Sequence, residues 1–196
     1  MKLIITRHGE TEENNTGIIQ GHQPGHLSEQ GVKQARKVAI RLKDESIDCI
    51  YSSDLNRAAD TAREIAQYHP DVPLEFVKEL RERYLGGWQG KTRKELGFGS
   101  DINLMGFFPK DGETSEELFN RASNFLDTIF SNHHDKTVLS VAHNGINKAL
   151  IAVITGKGST DIKSIEHLHH TSVSVFEIKK DKSCSIHIFN CTKHLE

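Results

Sequence analysis

The chain has 196 residues, of which 36% are hydrophobic and 27% are charged. This balance can bury a core, so it excludes wholesale disorder and fibrous repeats. Its 25 Lys and Arg residues against 27 Asp and Glu residues give a net charge of −2, which provides no electrostatic case for binding nucleic acid or an anionic membrane. The three cysteines are odd in number and lack a C-x-x-C pair, which argues against a disulfide framework or a thiolate zinc site.

The amino-terminal sequence lacks the features of a targeting segment. Only three apolar residues, Leu3 to Ile5, stand before Thr6, whereas a signal peptide needs an apolar run of about 7–15 residues and a membrane span needs about 20. No other window of the sequence supplies such a run. We therefore expect a cytoplasmic protein that binds neither membranes nor nucleic acids.

Short apolar runs alternate along the chain with segments in which apolar residues recur every three or four positions. The first pattern predicts buried strands and the second predicts amphipathic helices. In chain order we predict a strand at Leu3–Ile5, a helix capped by Ser28, a strand at Cys49–Tyr51, a helix capped by Ser53 or Asp54, a helix opened by the capping box Thr114-x-x-Glu117, a strand at Thr137–Val141, a helix that stops at Gly156, and a hairpin of strands Ser172–Ile178 and Ser185–Phe189.

Strands that alternate with helices are typical of an α/β fold. We predict a three-layer α/β/α sandwich with a mostly parallel central sheet, because parallel strands need helical crossovers that cover both faces. We expect one domain over residues 1–196, with a small excursion at 91–112.

In sheets of this kind, ligands bind beyond the carboxyl ends of the strands. The first predicted strand runs into Arg7 and His8, the second leads to Arg57, and a later strand ends at His143. We therefore expect these cations and imidazoles to meet at one edge of the sheet. The histidines at 167, 169 and 170 lie in a polar stretch and are expected at the surface instead.

The segment Arg7-His8-Gly9-Glu10-Thr11 follows the first strand and suits phosphoryl chemistry. A neutral imidazole can attack phosphorus, and an adjacent guanidinium can hold two phosphoryl oxygens. Gly9 would let the backbone approach an oxyanion closely. Taken alone, the segment fits an Arg-His pair on a surface loop equally well.

Several further segments favour the phosphoryl-transfer site over the surface loop. The R-H-G-E-T segment resembles the signature of the histidine phosphatase superfamily, which is phosphoglycerate mutase-like. Similar segments follow in the family's order at Leu27–Ala35, Ser52–Ala62, Leu80–Gly90, Gly112–Thr114 and Val141–His143. The resemblance covers nearly the whole chain.

The resemblance implies a role for each matching residue. His8 would be the nucleophile that forms a phosphohistidine, and Glu82 would be the general acid. Two guanidiniums and an imidazolium, those of Arg7, Arg57 and His143, would surround the phosphoryl group. The remaining candidates for substrate binding are Thr11, Asn14, Gln20, Gly21 and Asn144. No metal and no cofactor is expected.

Asn144 departs from the family's pattern, in which glycine usually follows the second histidine. Glycine tolerates positive φ, and Asn is the next most tolerant residue. We therefore expect Asn144 to keep the loop geometry of a glycine, leave His143 in place, and at most narrow the pocket.

We predict a metal-independent phosphatase that hydrolyses small phosphate monoesters, such as sugar phosphates or related metabolites, through a phosphohistidine. One alternative is a phosphoglycerate mutase, but the short segment 91–111 and the early chain end favour water access and hence hydrolysis. Another is a non-catalytic regulator that binds a phosphorylated ligand, which the complete set of candidate catalytic residues argues against. The natural substrate and a homodimeric state stay open.

Overall fold

A computed structural model describes residues 1–98 and 107–196 of the chain. Its central sheet has six strands in the order β3-β2-β4-β1-β5-β6. These strands are β1 (Lys2–Arg7), β2 (Cys49–Ser53), β3 (Leu74–Val77), β4 (Thr137–Ala142), β5 (Val173–Ile178) and β6 (Cys184–Cys191). The neighbours from β3 through β1 pair in parallel, whereas β5 and β6 continue the sheet antiparallel. The sheet is therefore mixed and mostly parallel, as the sequence predicts.

Helices cover both faces of this sheet. The α-helices are a single turn after β1, α1 (Glu12–Asn15), and four longer helices that pack on the sheet, α2 (Glu29–Leu42), α3 (Asn56–Ala66), α4 (Ser115–His133) and α5 (Asn144–Ile154). Alternate residues of β1 face opposite cores: Ile4 packs with α2 and α3, and Leu3 and Ile5 pack with α4 and α5. This arrangement confirms the three-layer α/β/α prediction. None of the helices in the described residues is long and apolar enough to cross a membrane.

Three predicted helix ends, each set by a capping residue or a glycine, are confirmed. Ser28 accepts a hydrogen bond from the backbone N–H of Gly31, and Thr114 forms the expected capping box with Glu117. Gly156 follows the end of α5 with a φ of +68°, a left-handed conformation that glycine adopts without cost.

The predicted cap of α3 is wrong. Its N-cap residue is Leu55, which makes no capping hydrogen bond through its side chain. Asp54 instead forms an ion pair of 2.6 Å with Arg81, and the Ser53 hydroxyl accepts from the N–H of Leu55. A partner distant in sequence thus overrides the local preference for an acidic cap.

Sequence analysis missed two short elements, α1 and β3. The single turn of α1 buries no residue, so it has no apolar periodicity. Strand β3 has four residues on the outer edge of the sheet, and its middle pair, Glu75 and Phe76, is exposed. Neither element has a pattern long enough to predict it.

The segment after β1 is packed tightly onto the start of α2. The N–H of Ser28 donates to the carbonyl of Glu10 at 3.0 Å, and a side chain added at Gly31 would overlap that carbonyl. Glycine is therefore needed at this close approach. The contact fixes the position of the Arg7-His8-Gly9 segment at the end of the sheet.

The predicted excursion at 91–112 is described only in part, because residues 99–106 lie outside the described residues. Its start is joined to the segment after α1 by a bridge between Thr92 and Ile18. Phe98 packs on Trp88 and on Phe107, with ring centroids 5.0 and 5.7 Å apart.

Candidate active site

The carboxyl ends of β1, β4 and β2 lie side by side, and the candidate residues follow them directly. Arg7 pairs with Ala142 across β1 and β4, so His8 and His143 come next on neighbouring strands. Their ring centroids are 5.0 Å apart. Arg57, in the first turn of α3, reaches the same place and is 1% exposed. The structure thus brings these four residues to one edge of the sheet.

The His8 ring is held in one tautomer. Its Nδ1 lies 2.6 Å from the carbonyl oxygen of Gly9, and because a carbonyl only accepts, Nδ1 carries the hydrogen. The lone pair is therefore on Nε2. Burial of the ring, with smaller contributions from His143 and Arg57, holds the pKa of His8 well below its usual 6.5. His8 is a neutral imidazole in the form that nucleophilic attack requires.

The Arg57 guanidinium donates hydrogen bonds to three acceptors within the protein. Its Nε donates to His143 Nδ1 at 3.1 Å, and its two terminal nitrogens donate to the carbonyls of Gln23 and Gly21. The other nitrogen of His143, Nε2, donates to the Ser53 hydroxyl at 2.9 Å. Burial and then Arg57 hold the pKa of His143 well below 6.5. The structure therefore has a neutral imidazole where an imidazolium is expected.

The Glu82 carboxylate is held by two backbone donors. Oε1 accepts from the N–H of Arg83 at 2.8 Å, and Oε2 accepts from the N–H of Gly145 at 3.1 Å. A Cβ at residue 145 would overlap the carboxylate, so a larger residue there would require the Glu82 side chain to move. Arg121 of α4 supports the segment through the Glu82 carbonyl and through an ion pair of 2.7 Å with Glu113. Sequence analysis did not find this support.

Three of the predicted substrate-binding residues bind one another. The Thr11 hydroxyl accepts from the backbone N–H of Asn14 and from Gln20 Nε2, and Asn14 Oδ1 accepts from the N–H of Thr11. These bonds cap α1 and occupy the functional groups of Thr11. Asn14 Nδ2 has no acceptor among residues 1–98 and 107–196, so its hydrogens can bind another group. Gly21 contributes its carbonyl to Arg57, as described above.

The expected conformation of Asn144 is wrong. The residue is the first of α5 and has no positive φ. The non-glycine residues with positive φ in the described chain are Thr171, Lys182 and Asn190. The first residue of a helix already has helical angles, so the turn needs no left-handed residue there. The side chain of Asn144 accepts a hydrogen bond of 3.0 Å from the N–H of Leu168.

The segment before β5 lies against the site, which the sequence did not predict. His167 Nε2 is 3.0 Å from Arg7 NH1, and His170 Nδ1 is 3.0 Å from the carbonyl of His8. Burial, followed by Arg7, lowers the pKa of His167 to about 4 and that of His170 to about 3. His167 and His169 are exposed, as expected, whereas His170 is half-buried. The polar stretch carries no periodicity that could have indicated these contacts.

Lys148 is a further cation that the sequence analysis missed. It is 3% exposed, lies one turn after Asn144 on α5, and makes no hydrogen bond or ion pair with the described residues. Burial lowers its pKa, and the Glu82 carboxylate opposes that shift. Side chains thus supply the positive field of the site. Within residues 1–98 and 107–196, no group of three or more His, Cys, Asp or Glu is arranged to hold a metal ion.

Acidification should destabilise the protein through its buried histidines. His8 and His143 are neutral when folded, but in the unfolded chain each protonates below about 6.5. Unfolding therefore takes up protons, and the free energy of unfolding falls as the pH drops below 6.5, by up to about 1.4 kcal/mol per pH unit for each histidine. Denaturant titrations should show this decline, and the slope should be smaller for His143→Gln. Equal slopes for the two proteins would contradict the assignment.

The comparisons with known proteins agree with this geometry. Residues 3–192 match the histidine phosphatase superfamily (branch 1). The metal-independent phosphoserine phosphatase of Arabidopsis thaliana is 35% identical over 192 residues, which cover 92% of this chain and 78% of that protein. Bacillus stearothermophilus YhfR has the same fold, with a TM-score of 0.89, 29% identity, and coverage of 100% of this chain and 99% of that chain. The phosphoserine phosphatase of Entamoeba histolytica, solved with 3-phosphoglyceric acid, gives a TM-score of 0.83 at 32% identity, with coverage of 100% and 99%.

The chain belongs to branch 1 of the histidine phosphatase superfamily and is phosphoglycerate mutase-like. This confirms the resemblance found in the sequence. Within that superfamily it is a phosphatase, because its relatives include phosphomonoesterases that match over nearly its whole length.

Proposed function

We propose that this phosphatase hydrolyses small phosphorylated metabolites through a phosphohistidine on His8, without a metal ion. The observation that carries the proposal is the state of His8. Its Nδ1–H is bound to the Gly9 carbonyl, which leaves the Nε2 lone pair available, and the positive charges of Arg7 and Arg57 act on the ring. Burial lowers the pKa of both arginines only to about 10, so both remain charged at neutral pH.

In the first step, His8 Nε2 attacks phosphorus, forming the P–N bond while the bond from phosphorus to the alcohol oxygen breaks. The guanidiniums of Arg7 and Arg57 stabilise the charge on the equatorial phosphoryl oxygens. Glu82 gives its proton to the departing oxygen.

In the second step, water attacks the phosphohistidine and the P–N bond breaks. Glu82, now a carboxylate, accepts a proton from that water. His8 returns to its neutral form with the hydrogen still on Nδ1, bound to Gly9, and inorganic phosphate leaves. Asn14, through its Nδ2 hydrogens, is a further donor for a phosphoryl oxygen in both steps.

The substrate class rests on the relatives and on charge. Two of the relatives described above are named for phosphoserine, and one was solved with 3-phosphoglyceric acid. These are small monophosphates that carry a carboxylate. The unpaired ammonium of Lys148, buried near Glu82, adds positive charge that would favour such anionic metabolites. The partner we propose is therefore a small phosphorylated metabolite.

A panel of phosphate monoesters separates the proposed activity from its alternatives. Phosphoserine, 3-phosphoglycerate and p-nitrophenyl phosphate should release inorganic phosphate at the same rate with and without EDTA. With 3-phosphoglycerate and a bisphosphoglycerate primer, phosphate should be released faster than 2-phosphoglycerate appears. Rapid isomerisation without phosphate release would identify a mutase. Phosphate binding without turnover of any substrate would identify a non-catalytic binding protein.

A further inference from the structure

Among the residues that the structure describes, those that bind the guanidinium of Arg7 contact one of its three nitrogens. NH1 donates to the carbonyl of Leu168 at 2.8 Å and lies 3.0 Å from His167 Nε2. A terminal guanidinium nitrogen has two hydrogens, so these two acceptors use both of them. NH1 therefore has no hydrogen available to donate to a substrate.

The opposite side of the same guanidinium, at Nε, lacks hydrogen-bond acceptors among the described residues. Its Nε is buried and has no hydrogen-bond partner within the part of the chain that the structure describes. A buried donor without an acceptor is costly, so this side of Arg7 is where an acceptor is needed. The Nε–NH2 edge has the parallel N–H geometry that binds two oxygens of a phosphoryl group.

The acceptors for NH1 are themselves fixed by a side chain from another strand end. The peptide of Leu168 is held on both sides: its N–H donates to Asn144 Oδ1 at 3.0 Å, and its carbonyl accepts from Arg7. Asn190 of β6 secures the flanking residues, donating to the carbonyl of His167 and accepting from the N–H of His169, each at 3.0 Å. A glycine at position 144 could not make the bond to Leu168.

We propose that Asn144 and His167 are positioning residues that decide which edge of Arg7 faces the phosphoryl group. Asn144 fixes the Leu168 peptide, and the Leu168 carbonyl with His167 Nε2 then fixes NH1, which leaves the Nε–NH2 edge for two phosphoryl oxygens. The inference rests on the proposed function for its meaning in catalysis, but the orientation of Arg7 also governs the binding of inorganic phosphate. It replaces the expectation that Asn144 only narrows the pocket.

The test compares variants that keep or lose the acceptors. Asn144→Gly and His167→Ala should each weaken inhibition by inorganic phosphate and lower kcat/KM for p-nitrophenyl phosphate by about 10- to 100-fold, as expected for a misplaced binding group. His167→Gln, whose amide oxygen can accept from NH1, should restore both values to within about threefold. His187→Ala is the control histidine, because its side chain lies on β6 against Glu177, and it should change neither value.

A double-variant cycle distinguishes positioning from a general structural effect. In an Arg7→Lys background the Nε–NH2 edge no longer exists, so adding Asn144→Gly should cost less than about twofold further. Multiplicative losses, or a His167→Gln variant as impaired as His167→Ala, would overturn the inference. If Asn144→Gly does not fold, the comparison of His167→Ala with His167→Gln still tests the inference. If the wild-type protein binds phosphate but hydrolyses nothing, the proposed function fails, and phosphate affinity across the same variants still tests the inference.

Discussion

Replacing His8 by alanine should lower kcat for every phosphate monoester by roughly 10⁴-fold or more, since the variant cannot form the covalent intermediate. In the wild-type protein, rapid quench with labelled substrate should trap one phosphoryl group per chain that is labile in acid and stable in base, as expected of a phosphohistidine. The same label should be absent from the variant.

The control for this experiment is His187→Ala. His187 lies on edge strand β6 against Glu177, which pairs with Lys2 at the amino end of β1, the end opposite to Arg7 and His8. It should retain both the label and wild-type turnover. A His8→Ala protein with wild-type turnover would rule out the mechanism, whatever the outcome for the other residues.

Glu82→Gln should have an effect that depends on the leaving group. For alkyl phosphates the departing oxygen needs a proton, so kcat should fall by about 10²–10⁴-fold. For p-nitrophenyl phosphate the phenolate leaves unaided, and the loss in the phosphorylation step should be much smaller. The comparison is made on initial phosphorylation rates, because Glu82 also accepts a proton when water attacks the phosphohistidine.

Glu79→Gln is the matched control for Glu82→Gln. Glu79 is exposed, lies three residues earlier, and offers only its backbone carbonyl to Arg121. It should leave both substrates unaffected. Equal losses for the two kinds of substrate in Glu82→Gln would assign Glu82 a role in binding or folding, since its carboxylate also accepts from the backbone of Arg83 and Gly145.

The sequence predicts the site well where one rule of sheet geometry applies. Parallel strands end at the same edge, so Arg7, His8 and His143 had to be neighbours once their strands were recognised. The pattern of apolar residues was long enough to identify those strands and the helices between them. The catalytic roles of these residues stay predictions, because they follow from the resemblance and not from a bound substrate.

The sequence fails where a contact joins distant residues through hydrogen bonds. Arg7 and His167 are 160 positions apart, and no periodicity relates them. Asp54 looked like a cap but is taken by Arg81, 27 positions away. The protonation of His143 likewise depends on a donor, Arg57, whose direction only the folded structure fixes. In each case the neighbouring residues predict one interaction, and a hydrogen bond to a residue distant in sequence replaces it.

The pairing of β1 has a consequence for how the protein acquires its activity. Lys2 pairs with Thr137 on one side and with Glu177 on the other, so the first strand has no partner in the first two-thirds of the chain. Such non-local pairings make folding slow, because the entropy of closing a long loop is lost before the new contacts stabilise the chain. During synthesis, the segment with His8 is made before β4 and β5, the two strands that pair with β1. His8 and His143 therefore become neighbours only after β4 has been made and paired with β1, and a shorter chain lacks the assembled site.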